Sequence, residues 1–71
     1  MTPIKRVYFE EPIHESFFGG ENTTDKILFW AHKWYKVEYE TYDGLIYLYN
    51  EDNEKIAIDI LEMKGVMLIQ R

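Results

Sequence analysis

A chain of 71 residues leaves room for one small domain, of the size that buries only about 60% of the surface its unfolded form exposes. Hydrophobic residues make up 46% of it and aromatics 17%, so a core can form and apolar surface remains for a partner or a second copy. A net charge of −5 disfavours phosphate backbones and anionic lipid, and the lack of cysteine excludes a disulfide scaffold.

Ile4 to Glu10, "IKRVYFE", predicts a strand that stops at Pro12. Pro12 to Thr24 reads as a loop in which Gly19-Gly20 and the polar run after it supply turn chemistry, with Phe17 or Phe18 tucked beneath the sheet as a plug. Asp25 to Ala31 predicts a second strand. Its consecutive Ile27, Leu28, Phe29 and Trp30 suggest cover on both faces. Trp34 to Thr41 and Leu45 to Asn50 predict a third and fourth strand, and residues 50–54 a polar turn.

Lys55 to Leu61 carries Ile56, Ile58 and Ile60 at period two and predicts a fifth strand. The competing reading is a helix over residues 53–63, capped by Asn53 and ended by Gly65. The β-branched residues favour strand because branching restricts χ1 on a helix. Gly65 breaks the chain and Val66 to Ile69 gives a sixth strand. The expected fold is therefore all-β, a single domain over residues 1–71. Five or six antiparallel strands would form a meander closing into an SH3-like barrel, with α+β as the alternative if residues 53–63 are helical.

Asp43-Gly44 between two strands predicts a two-residue type I′ hairpin. That register would set Thr41 opposite Ile46, Glu40 opposite Tyr47, Tyr39 opposite Leu48 and Glu38 opposite Tyr49. Alternation then gives a core face of Val37, Tyr39, Thr41, Ile46 and Leu48. The opposite face would hold Trp34, Lys36, Glu38, Glu40, Tyr42, Leu45, Tyr47 and Tyr49. Tyrosines suit exposed strand positions and cover neighbouring aliphatic stems. They also make rigid contact area with a polar tip, which is what a docking surface needs.

Catalytic chemistry finds little support. His14 and His32 are the only histidines, and no further ligands stand at zinc spacing. Ser16, the only serine, lacks a nucleophile-elbow context, and Gly19-Gly20 is not a phosphate loop. Glu51, Asp52 and Glu54 lack the glycine and distal glutamate of a calcium loop and read as a solvated turn. No metal and no cofactor is expected, and no leader or spanning segment is visible, so a cytoplasmic location is expected.

"RVYFEEPI" followed by "ILFWAHKWYKV" resembles the opening of a family of small uncharacterised bacterial domains encoded near translesion DNA polymerases. Arg6, Tyr8, Glu11, Pro12 and Ile13 fit that pattern with a one-residue shift. Phe29 and Trp30 are adjacent where the family spaces them, and His32 stands where it has glycine. The resemblance covers about half the chain and implies a small β fold.

The functional expectation is a small acidic protein-binding module with no enzymatic activity. Trp34, Tyr42, Tyr47 and Tyr49 would be its anchors, and Glu38 and Glu40 would select a basic partner surface. Size and charge suggest a regulator or inhibitor of a nucleic-acid-handling enzyme. Usage rich in Ile, Glu, Tyr, Lys and Asn suggests a low-GC bacterium or its phage as the source. The alternatives are a nucleic-acid-binding barrel, using Lys5, Arg6, Lys33 and Lys36, and a homodimer joined through the tyrosine face.

Overall fold

The computed structural model describes residues 2–18 and 26–71, without the side chains of Phe17 and Phe18. The expected Gly19-Gly20 turn and phenylalanine plug lie outside what is described. The chain is mostly strand: β1 Arg6–Phe9, β2 Ile13–His14, β3 Ile27–Phe29, β4 Lys33–Glu40, β5 Leu45–Tyr49, β6 Lys55–Asp59 and β7 Met67–Gln70. A 3-10 turn, Glu15–Phe18, follows β2. Five strands form an antiparallel sheet in the order β6-β5-β4-β1-β7, and β2 and β3 pair as a separate hairpin. Among the described residues no ladder joins β6 to β7, so the strands do not close a barrel.

Alternation explains the core. One face of the sheet contributes Val7 and Phe9 from β1, Tyr35 and Val37 from β4, Ile46 and Leu48 from β5, Ile58 from β6 and Met67 from β7, all buried. The β2–β3 hairpin covers this face with Ile13, Leu28 and Phe29. The Phe29 ring stacks on Phe9 at 5.0 Å and meets Tyr35 edge-on at 4.9 Å, the offset and tilted geometries that aromatic quadrupoles favour. The apolar run at 27–30 is thus covered on both sides at Leu28 and Phe29, while Trp30, past the strand, is exposed.

Residues 53–63 are not helical. Lys55–Asp59 pairs with β5 along its whole length, from Tyr49↔Lys55 to Leu45↔Asp59. The chain turns after Asp59, whose Oδ1 accepts the Leu61 N–H at 2.9 Å, and Met63 drops into the core. Gly65, with φ of 102°, reverses the chain into β7 in a region that disfavours a Cβ. The expected loop from Pro12 to Thr24 instead begins with the two residues of β2.

The bend before β4 turns on His32, held at φ 59° in the left-handed region that glycine enters without strain. Its N–H donates to the Phe9 carbonyl at 2.7 Å and its Nδ1 lies 3.0 Å from the Tyr8 hydroxyl. The turn is therefore tight although glycine is missing from it. His32→Gly is expected to be more stable than His32→Ala by about 1 kcal/mol, since both lose the ring and only alanine keeps the strain. Equal denaturation midpoints would show that the backbone relaxes.

Candidate docking face

The β4–β5 connection decides which side chains reach the outer face of the sheet. It is a three-residue loop, not the expected two-residue turn. Thr41 N–H donates to the Leu45 carbonyl at 2.8 Å, and Leu45 N–H donates to Thr41 Oγ1 at 3.0 Å. Gly44 takes φ of 96°, the usual device for closing a three-residue hairpin. The register therefore sets Glu40 opposite Ile46 and Tyr39 opposite Tyr47. A second irregularity lies between Val37 and Tyr39, beyond which Val37 faces Leu48.

This bulge at Glu38 reverses the sidedness of the strand end. Tyr39, expected in the core, is 47% exposed and stacks on Tyr47 with centroids 4.6 Å apart and planes 17° from parallel. Glu40, expected on the outer face, lies opposite the buried Ile46 and accepts the Ile4 N–H at 3.1 Å, with Arg71 3.8 Å away. An inward carboxylate at the end of a sheet is tolerable because it is hydrogen-bonded and near a cation. Thr41 belongs to the loop and is half-buried. Tyr42 stands fully exposed at the loop tip.

Upstream of the bulge the expected assignment is what the structure has. Ile46 and Leu48 are fully buried, Tyr47 is half-buried, and Tyr49 and Trp34 are 41% and 39% exposed. Trp34, Lys36 and Tyr49 line one shallow groove. Of the six residues singled out as anchors or selectors, Trp34, Tyr47 and Tyr49 share the outer face with Glu38 beside them at the bulge. Tyr42 and Glu40 lie apart from them.

Three further residues join this face, two of them from β1, whose pairing the sequence did not reveal. Tyr8 lies opposite Trp34 on one side and Leu68 on the other, with its ring 5.4 Å from that of Trp34. Arg6 lies opposite Lys36, and its guanidinium sits 4.4 Å above the centre of the Trp34 ring. Lys55, opposite Tyr49, places its ammonium 5.0 Å from the Tyr39 ring and 5.7 Å from Tyr47. A cation over a ring face is attracted by the ring quadrupole. Period-two alternation in "RVYFE" was the available signal for Arg6 and Tyr8. It gave sidedness, not a neighbour.

The carboxylates of the turn after β5 are occupied. Asn50 Oδ1 accepts the N–H groups of Asp52 and Glu54, which builds the turn after β5. Lys26 reaches this turn from the start of β3, 2.5 Å from Glu54 and 3.3 Å from Asp52. The carboxylates hold the Lys26 ammonium above its ordinary pKa, and Lys26 together with Asn50 holds Glu54 below its own. Glu51 accepts the Tyr35 hydroxyl and lies 3.7 Å from Lys33. Among the described residues no group of three His, Cys, Asp or Glu side chains could hold a metal ion, and no helix is long and apolar enough to cross a membrane.

In comparison with known proteins the chain matches no family model, no curated protein and no solved structure.

Proposed function

We propose that this chain works by binding, as a small cytoplasmic module that docks another protein on the outer face of its sheet and regulates or inhibits it. The observation that supports the reading is the concentration of Tyr8, Trp34, Tyr39, Tyr47 and Tyr49 on one rigid sheet surface. Such rings offer contact area at little rotamer cost and end in a polar tip. The docking platform is then the outside of an SH3-like meander, for which the succession β7-β1-β4-β5-β6 speaks. A nucleic-acid-handling enzyme remains the favoured class of target, from chain size and from the resemblance to domains encoded beside translesion polymerases.

The experiment is affinity capture from host lysate with wild type and with the Tyr47→Ala/Tyr49→Ala double variant, read by mass spectrometry. A partner retained by the wild type and lost by the variant is expected. The variant should lose less than about 2 kcal/mol of stability, because stacked exposed pairs contribute on the order of 1 kcal/mol. A larger loss would mean that the rings serve the fold.

A second reading, single-stranded nucleic acid on the same rings, is favoured by Arg6, Lys36 and Lys55 among them. It requires a mobility shift that weakens steeply with salt. A homodimer through this face would raise the scattering mass with concentration.

A further inference from the structure

Building on the docking reading, we propose that the segment held on the outer face is acidic. The basis is the charge placed there. Arg6, Lys36 and Lys55 stand among the rings, and no ion pair among the described residues engages any of them. The carboxylates that could have neutralised them are committed elsewhere: Glu40 to the Ile4 amide, Glu51 to Tyr35, Asp52 and Glu54 to Lys26. Among the described residues the acids bordering this side of the sheet include Glu38 at the bulge, Asp59 at the far end opposite Leu45, and Glu51, which lines the groove with Trp34, Lys36 and Tyr49 and is held by Tyr35 and Lys33. A chain that is acidic overall thus presents on this face three cations that no ion pair among the described residues holds.

Hydrogen-bonding capacity points the same way. Guanidinium and ammonium groups and the indole N–H can only donate, and a phenol donates readily. Carboxylates accept from all of them, and charge-assisted bonds are the stronger kind. The rings of Trp34, Tyr39 and Tyr47 are already engaged by Arg6, Lys55 and one another. Base stacking needs an open ring face, whereas an acidic segment needs the ring edges, hydroxyls and cations that these contacts leave outward. The five strands span about 20 Å at roughly 4.8 Å per strand, a width that about six extended residues cross. Such a segment carries few charges, so the chain's overall negative field opposes it less than it opposes a polyphosphate.

The test is selection of the intact protein against a displayed library of random peptides of about ten residues, long enough to cross the sheet, followed by anisotropy titration of the enriched peptides and of an oligothymidylate. Enriched peptides should be rich in Asp and Glu and should need Trp34 and Tyr49. Lys36→Glu should weaken them about tenfold, as a like-charge contact does, and added salt should weaken them further. Lys64→Glu, in the turn before β7, should leave them unchanged. Lys36 is exposed and forms no side-chain bond to another of the described residues, so its substitution spares the fold. Neutral or basic peptides that still need Trp34 and Tyr49 would overturn the acidic assignment and leave the docking face standing. Oligothymidylate that displaces the peptides would overturn it in favour of nucleic acid. Absence of any peptide dependent on Trp34 and Tyr49 would overturn both the assignment and the docking reading.

Discussion

Phe29→Ala is expected to destabilise the chain by about 3–5 kcal/mol, the range found when a buried phenylalanine is truncated. Phe29 is fully buried and stacks between Phe9 and Tyr35. It is the ring through which the β2–β3 hairpin grips the main sheet. A domain of 71 residues has a total stability on the order of 4–10 kcal/mol, so the substitution removes from about a third to all of the folding margin. Urea denaturation followed by circular dichroism measures this directly. Phe29→Leu keeps most of the volume and should lose about 1–2 kcal/mol, which holds the comparison within a measurable range. A loss below about 1 kcal/mol for the alanine variant would mean that the hairpin is not packed on the sheet.

Tyr35→Phe carries the second large effect. The Tyr35 hydroxyl accepts the Trp30 N–H at 2.9 Å and donates to Glu51 Oε2 at 2.7 Å. One buried oxygen therefore joins the end of β3, the middle of β4 and the turn after β5. Its removal leaves the Trp30 amide without its partner and Glu51 with only Lys33 at 3.7 Å, at a cost of about 1–3 kcal/mol. The same group links stability to alkaline pH. Burial first, and the bond to Glu51 second, push the phenol up from 10.0 to about 12. In the unfolded chain it ionises near 10, while in the folded protein it keeps its proton, so its contribution is complete below pH 10 and falls away between pH 10 and about 12. The informative quantity is wild type minus Tyr35→Phe, which isolates this phenol. That difference should shrink across this interval. A flat difference would mean that Tyr35 is not held neutral by its surroundings.

The strands were legible in the residues because aromatic and β-branched residues alternate along them. Ile56, Ile58 and Ile60 at period two set β6 against the helical reading. Sidedness on β5 was equally plain, since Ile46 and Leu48 alternate with Tyr47 and Tyr49. The β4 register was not legible. "TYDG" serves a two-residue turn and a three-residue loop alike, and only the Thr41 hydroxyl, which accepts the Leu45 N–H, favours the longer one. The bulge at Glu38 leaves no mark, because glutamate suits an exposed strand and a bulge equally. The pairing of β1 with both β4 and β7 depends on contacts distant in sequence, so Arg6 and Tyr8 could be given a side of their strand without a neighbour.

The extra residue in β4 has a consequence for how this protein can change over generations. Deleting Glu38 would return simple alternation to the strand and keep Tyr39 outward opposite Tyr47 and Glu40 inward opposite Ile46, whereas drawing Glu38 into the ladder would swing Tyr39 beneath the sheet and Glu40 out to water. The wet and dry sides of that segment therefore depend on one residue staying out of the ladder as well as on which residues follow it. Loss of the Glu38 codon would spare the recognition surface, while a shift that pairs Glu38 would redraw it with no change of sequence.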